Sequence, residues 1–189
     1  MSHCDLKLEN ILVDDNGTLK LCDFGMVQPV EADLSLRQGT EMYAAPEIIN
    51  KNSSETYKGV PADIFTLGVL FWILRFAAPP FHSSKSNDRN YQLLQRRPDA
   101  YWRLHPCVKR GDQSLDEDFV SLLTSMLEAD ASKRPQSVAE VMGHPFFTKE
   151  DGLEDSFSNV WRNKAELEAS FKAKLVALFD QTRIDSSED

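Results

Sequence analysis

The sequence predicts a mainly α-helical domain that carries one small β-hairpin near its N-terminus. Three observations lead to this fold class. An almost continuous apolar run from Ile64 to Leu74 lies between Pro61 and the pair Pro79-Pro80, which is typical of a buried helix. Apolar residues between 115 and 128 recur at helical spacing. Near the N-terminus, Asn16-Gly17 separates two short apolar runs, which indicates a tight hairpin turn.

Length and charge exclude several classes of protein. The 189 residues are 41% apolar, which allows a domain of ordinary size and excludes a wholly disordered or collagen-like chain. The 21 basic and 30 acidic residues give a net charge of −9. Because a negative surface repels phosphate groups, neither nucleic acid nor an anionic membrane is an expected partner. A cationic partner fits this charge better, although net acidity also serves to keep a protein soluble.

The cysteines and the N-terminal residues indicate an intracellular, cytoplasmic protein. Cys4, Cys22 and Cys107 are too few and too scattered for a disulfide framework or a zinc site, so we expect reduced thiols. The first residues contain no basic region followed by an apolar stretch. The run from Ile64 to Leu74 is too short to span a bilayer. We therefore expect neither a secretory signal nor a membrane span.

The first half of the chain divides into a hairpin, a loop and a central helix. Residues 11–13 and 19–22 are the predicted strands. Residues 26–44 show little periodicity, so they predict a long loop. The helix is expected from Pro61, which suits a first helical turn, to Phe76. Because this helix is apolar almost all round, we expect it at the centre of the core.

The second half predicts shorter helices. Residues 81–90 are polar and indicate a loop, followed by a helix over 88–97 that ends before Pro98. Residues 115–128 predict an amphipathic helix. A further short helix is expected over 137–142.

A change of composition after Phe147 marks a second segment. Residues 148–189 carry six basic and ten acidic residues, and their apolar side chains suggest one long amphipathic helix over 160–180. This acidic helical tail, with a frayed end, would pack back on the domain or dock on a partner. Glu166 and Glu168 disfavour a calmodulin-binding target, because such targets are strongly basic. The predicted domain therefore covers residues 1–147.

A series of short motifs runs through residues 1–147. The segment from His3 to Asn10 reads HCDLKLEN, and 23–25 reads DFG. The segment 39–47 reads GTEMYAAPE and 63–68 reads DIFTLG, while KRP at 133–135 and HPFF at 144–147 close the series. In this order the motifs resemble the catalytic loop, the magnesium-binding loop, the substrate-docking segment, the central helix and the closing motifs of eukaryotic serine/threonine protein kinases.

The resemblance implies the C-terminal lobe of a protein kinase and phosphoryl transfer from ATP to serine or threonine. It implies that Asp5 is the catalytic base for the substrate hydroxyl and that Lys7 contacts the transferred phosphate. Asn10 and Asp23 would bind Mg²⁺, which prefers hard oxygen ligands. Leu12 would pack under the adenine of ATP. The implied cofactors are ATP and Mg²⁺.

The resemblance also implies roles in substrate docking. Glu9 matches an acidic position that favours basic residues before the phosphorylation site. Thr40, together with Lys7, favours serine or threonine over tyrosine as the acceptor.

Five further positions would be structural. By resemblance, His3 and Phe24 belong to an apolar column anchored on Asp63, whose carboxylate accepts backbone N–H bonds from the catalytic loop. Glu47 and Arg134 match a buried ion pair that ties the docking segment to the lobe.

The sequence also departs from the family pattern. Cys4 replaces the arginine that normally pairs with a phosphorylated activation loop, so activation through such a pair is not expected. The chain contains no Gly-x-Gly-x-x-Gly loop, and only Met1 and Ser2 precede His3. We therefore expect little or no kinase activity from this chain alone.

Two interpretations remain open. The chain is either a partial sequence of an active kinase or a non-catalytic interaction module derived from one. Retention of all four central motif residues favours the first interpretation: Asp5, Lys7, Asn10 and Asp23.

Overall fold

A two-stranded antiparallel sheet lies near the N-terminus. The computed structural model describes residues 1–148, except 16, 38, 53, 106–108 and 110–114. Strands β1 (Ile11–Val13) and β2 (Leu19–Leu21) pair with Ile11 opposite Leu21, and a short 3-10 turn (Leu8–Asn10) precedes them. This pair matches the strands expected at 11–13 and 19–22, although the second strand ends one residue earlier. The predicted turn residue Asn16 lies outside the described residues.

A second small sheet begins inside the predicted loop 26–44 and ends beyond it. Strand β3 (Asp33–Leu34) pairs antiparallel with β4 (Tyr57–Lys58), and the Tyr57 hydroxyl donates to the carbonyl of Leu36 at 3.0 Å. Helix α1 (Pro46–Ile49) lies between these strands in sequence. Sequence analysis missed both features because elements of two to four residues are too short to show hydrophobic periodicity.

Helix α2 (Gly59–Phe76) forms the centre of the core, as predicted. Ten of its 18 residues are buried, and the largest, Trp72, is 0% exposed. By length and mean hydropathy this helix could cross a membrane, but 56% of it is buried inside the protein, as in the core helix of a globular domain. It begins two residues before the predicted Pro61 and ends at the predicted Phe76, where Ala77 adopts a left-handed φ of 53°.

The remaining helices surround α2. Helix α3 (Arg89–Arg96) is capped by the Asp88 carboxylate, which accepts from Tyr91 N at 2.9 Å. Helix α4 (Pro98–Leu104) was not predicted: Pro98 does end α3, but its fixed φ also suits the first turn of the next helix. Three further α-helices and a 3-10 turn (Ala131–Lys133) follow: α5 (Glu117–Met126), α6 (Val138–Met142) and α7 (Pro145–Thr148).

These elements make residues 1–148 one compact unit that is rich in helix and carries two small antiparallel sheets. Helix α5 packs on α2, α4 packs on α3, and α7 packs on α5. The predicted tail helix over 160–180 lies outside the described residues, so the division of the chain after 147 stays a prediction.

A buried histidine links the stability of this unit to pH. His105 is 6% exposed and lies against the rings of Trp72 and Tyr101, with centroid distances of 4.8 and 5.1 Å. Its Nε2 lies 3.1 Å from the carbonyl of Pro80. Burial lowers the pKa of His105 below its ordinary value, and the Pro80 carbonyl partly offsets this effect.

Acidification should therefore destabilise the fold through His105. The unfolded chain takes up a proton at this imidazole near pH 6.5, whereas the folded chain does so only at lower pH. The contribution of neutral His105 to the free energy of unfolding is then fully present above about pH 6.5. It is lost as the pH falls from there through the lowered pKa of the folded state. We expect the urea midpoint to fall between about pH 7.5 and 5.5, and to fall less in His105→Gln. An equal fall in both proteins would show that other groups cause it.

Candidate active site

Three polar side chains converge on the carboxylate of Asp5, which is 8% exposed. Lys7 Nζ lies 2.6 Å from Oδ2. The Asn10 side-chain amide donates to the Asp5 carbonyl at 2.9 Å and lies 3.4 Å from Oδ2. Thr40 Oγ1 lies 3.5 Å from Oδ1. Both carboxylate oxygens therefore have donors that orient them.

Asp63 of α2 fixes the backbone that carries Asp5. Its Oδ2 accepts a bond from His3 N at 2.5 Å, and its Oδ1 accepts from Cys4 N at 2.9 Å. Burial raises the pKa of Asp63, and the two N–H bonds oppose that shift. Cys4 itself adopts a left-handed φ of 65°, a conformation that costs energy for a residue other than glycine. The two bonds to Asp63 stabilise this turn.

Asp23 shares the electrostatic environment of Lys7. The pairing of β1 and β2 continues with a bond from Cys22 N to the Asn10 carbonyl at 2.9 Å, which places Asn10 and Asp23 at the same end of the sheet. The hydrogen bond to Asp5 is the largest cause of a raised pKa at Lys7, and the charges of Asp5, Glu9 and Asp23 raise it further. Lys7 is therefore a cation surrounded by carboxylates.

The oxygens of Asn10 and Asp23 fit a magnesium ion. The Asn10 amide nitrogen is bonded to Asp5, so its oxygen is the atom that remains for a metal. Asp23 is exposed, and its Oδ1 accepts a long bond of 3.4 Å from Gly25 N. Mg²⁺ uses few protein ligands and completes its shell with water or phosphate oxygens. The described part of the chain contains no cluster of three or more His, Cys, Asp or Glu residues that would form a closed protein cage.

Leu12 and Glu9, like Asp23, form no hydrogen bond with Asp5 in the described part of the chain. Leu12 is 54% exposed on β1, opposite Lys20, and Glu9 is exposed in the 3-10 turn. Glu9 still acts on the site at longer range through its charge, because it raises the pKa of Lys7. The structure thus brings Glu9 near the cluster and leaves Leu12 on the surface of the small sheet.

The residues expected to be structural make direct contacts. The rings of His3 and Phe24 meet edge to face, with centroids 5.3 Å apart. Arg134, which is 2% exposed, forms a bidentate pair with Glu47 at 2.7 and 2.8 Å. This pair joins the start of α1 to the segment that follows α5.

Comparison with known proteins decides the family. The sequence model of one protein family, described as the protein kinase domain, matches residues 1–147. The chain belongs to the protein kinase family. The family predicted from the motifs is therefore confirmed.

Several curated kinases resemble this kinase chain. It is 33% identical over 156 residues to a probable serine/threonine-protein kinase of Zea mays, an alignment that covers 80% of the chain and 22% of the relative. It is 35% identical to CBL-interacting protein kinase 5 of Oryza sativa subsp. japonica, with 78% and 30% covered. It is 31% identical to the serine/threonine-protein kinase chk1 of Schizosaccharomyces pombe, with 99% and 36% covered. The chain thus spans about a fifth to a third of the length of these relatives.

Two glycines of the kinase chain support the site and were missed by sequence analysis. Gly39 has a φ of 85°, and a Cβ at this position would lie 3.1 Å from the carbonyl of Cys4. A Cβ at Gly59 would lie 2.2 Å from Ser2 Oγ. Both glycines therefore allow close approach to the segment that leads to Asp5. The available signal was the position of Gly39 directly before Thr40.

The space behind Asp5 is small. A cavity of about 20 Å³ lies between this segment and α2, with Cys4, Thr40 and Asp63 among its lining residues. This volume is that of about one water molecule. This cavity is therefore too small for a nucleotide or a peptide side chain.

Proposed function

We propose that this chain carries the catalytic loop of a protein kinase that transfers phosphate from ATP to serine or threonine residues of proteins. The convergence of Lys7, Asn10 and Thr40 on the buried Asp5 supports the proposal most strongly. A carboxylate whose two oxygens are held by donors can accept a hydrogen bond from a substrate hydroxyl and orient its oxygen for attack.

Each residue of the cluster has a distinct task in this proposal. Asp5 binds the substrate hydroxyl and accepts its proton, and Thr40 keeps the carboxylate in orientation. Lys7 stays protonated, because its raised pKa favours the charged form, and its cation would contact the transferred phosphate. Bound Mg-ATP supplies the transferable phosphate and part of the charge neutralisation. Asn10 and Asp23 would hold the metal, and Leu12 would contact the adenine.

The substrates are proposed to be intracellular proteins with basic residues near the phosphorylated position. Glu9 is exposed beside the cluster, and the chain carries a net charge of −9. Both features attract basic peptides. The free thiols of Cys4 and Cys22 agree with a reducing, cytoplasmic location.

We further propose that the chain by itself transfers little phosphate. Its sequence contains no Gly-x-Gly-x-x-Gly loop to cover the phosphates of ATP. Positioning and charge stabilisation supply nearly all of the catalysis in phosphoryl transfer. A site that holds the metal and the hydroxyl but lacks that loop should therefore bind Mg-ATP weakly and turn over slowly.

The test measures Mg-ATP binding by calorimetry and transfer of labelled phosphate to a serine peptide flanked by arginines. We expect Mg²⁺-dependent ATP binding that Asp23→Ala and Asn10→Ala abolish, and transfer close to background. Asp15→Asn is the matched control, because Asp15 is an exposed residue of the turn between β1 and β2 and the change removes the same charge as Asp5→Asn.

Three outcomes separate the interpretations. Transfer that Asp5→Asn abolishes and Asp15→Asn preserves would establish kinase activity and contradict the proposed inactivity of the chain alone. A stable fold with neither ATP binding nor transfer would overturn the kinase proposal in favour of a non-catalytic interaction module. An in-frame glycine-rich loop and strand lysine in the transcript upstream of Met1 would support a partial kinase sequence.

A further inference from the structure

A cleft of about 700 Å³ lies on the exposed side of helix α3. Its walls come from α3, from the residues directly before and after that helix, and from His82. The lining includes one apolar side chain, Leu93, and its other members are polar or charged. None of the lining residues belongs to the cluster around Asp5.

Helical geometry explains why two arginines of α3 line this cleft. Arg89, Leu93 and Arg96 are spaced by four and three residues, so they lie on one face of α3, together with Gln92. The opposite face carries Tyr91 and Leu94, which are buried in the core. The core-facing residues therefore fix the orientation of the helix and leave both arginines exposed.

The positive charge of the cleft is not neutralised by the described residues. Arg89, Arg96 and Arg97 are exposed, and none of them forms an ion pair within the described part of the chain. Asp88 is the one carboxylate in the lining, and its oxygens accept backbone bonds from Tyr91 at 2.9 Å and His82 at 3.1 Å. With His82 neutral, three arginines and one aspartate give the lining a formal charge of +2 (3 − 1), on a chain of −9.

We propose that this cleft binds an acidic peptide segment of a protein partner. Guanidinium groups pair with carboxylates through two parallel hydrogen bonds, and the unpaired arginines present this geometry to a ligand. Leu93 lies between Arg89 and Arg96; it packs partly against the core, and the remainder of its side chain offers a small apolar contact to the same segment. A positive cleft on a negative protein also selects for a short acidic segment, because a long polyanion would meet the repulsive remainder of the surface.

The test measures binding of a fluorescein-labelled heptapeptide, in which three acidic residues flank each side of one leucine, to the full chain by fluorescence anisotropy. We expect binding that weakens as salt is raised, and no binding of the peptide in which glutamine replaces every acidic residue. The double substitution Arg89→Glu/Arg96→Glu should weaken binding at least tenfold. Arg89→Gln/Arg96→Gln should weaken it less, and circular dichroism checks that each variant folds.

The matched control is Arg75→Glu/Arg103→Glu, which changes the net charge equally at two exposed arginines outside the cleft. We expect its affinity to stay within about twofold of the unchanged chain, since only general electrostatics is altered. An equal loss in both glutamate pairs would overturn the proposal, because it would show attraction by net charge alone. The proposal would also be overturned if the acidic peptide did not bind. This holds whether or not phosphatidylserine vesicles bind at Arg89 and Arg96.

Discussion

Replacing Arg134 by methionine should lower the free energy of unfolding by about 3–5 kcal/mol. All five guanidinium N–H donors are used: two bond to Glu47, and the others bond to the carbonyls of Pro61, Glu128 and Ala129 at 2.7–3.1 Å. Methionine fills a similar volume but leaves the Glu47 carboxylate and three carbonyls without these partners. Stranding a partly buried carboxylate is what makes the loss large.

Urea unfolding at neutral pH measures this loss, and Lys85→Met provides the control. That change also breaks an ion pair with a glutamate. The side chains of Lys85 and Glu41 are exposed, however, and exposed ion pairs contribute little to stability. Arg134→Lys should not rescue the fold, because an ammonium has three donors and cannot form the planar bidentate pair. Similar midpoints for Arg134→Met and Lys85→Met would contradict this account of the pair.

The sequence predicted best those elements whose apolar residues follow a long and regular pattern. Helix α2 was predicted within two residues because its apolar run is long and prolines lie on both sides. Helix α4 was missed because Pro98 was interpreted as an end and not also as a beginning. The pairing of β3 with β4 joins residues 33–34 to 57–58, and such short non-local contacts leave no pattern in the sequence.

The candidate site, too, could be predicted from the sequence only where its residues lie close together along the chain. Asp5, Lys7 and Asn10 lie within six residues, so one turn and one short helix bring them together, and their motif could be read directly. Thr40 and Asp63 reach the site from distant elements. Their spacing along the chain gives no distance, so only the family resemblance placed them there. The arginine cleft was not predicted, since Arg89 and Arg96 form a surface only when Tyr91 and Leu94 are buried.

The geometry around Asp5 depends on Asp63, a partly buried residue of the central helix α2. Asp5 follows Cys4, whose left-handed backbone is held by Asp63 of α2. The segment that carries Asp5 therefore takes its position from α2, the central helix of the fold. A substitution of Asp63 should consequently disorder the segment around Asp5, although Asp63 lies in helix α2.

Asp63→Ala should cost about 2–6 kcal/mol of unfolding free energy, because it leaves two part-buried N–H donors, at His3 and Cys4, without acceptors at roughly 1–3 kcal/mol each. Asp63→Asn should cost less. It keeps one acceptor oxygen and removes the desolvation of a charge, which is the cause of the raised pKa of Asp63. Urea unfolding ranks the two variants, and hydrogen exchange of the His3 and Cys4 amides should accelerate most in Asp63→Ala.

Asp33→Ala is the comparison that isolates the role of burial. Asp33 also pairs with a neighbour, Lys58 at 3.0 Å, but both side chains are exposed and neither holds a backbone donor of the Asp5 segment. We expect this variant to leave exchange at His3 and Cys4 unchanged. If Asp63→Ala also left those two amides protected, the segment that carries Asp5 would be held by other contacts. The dependence of the site on helix α2 would then be wrong.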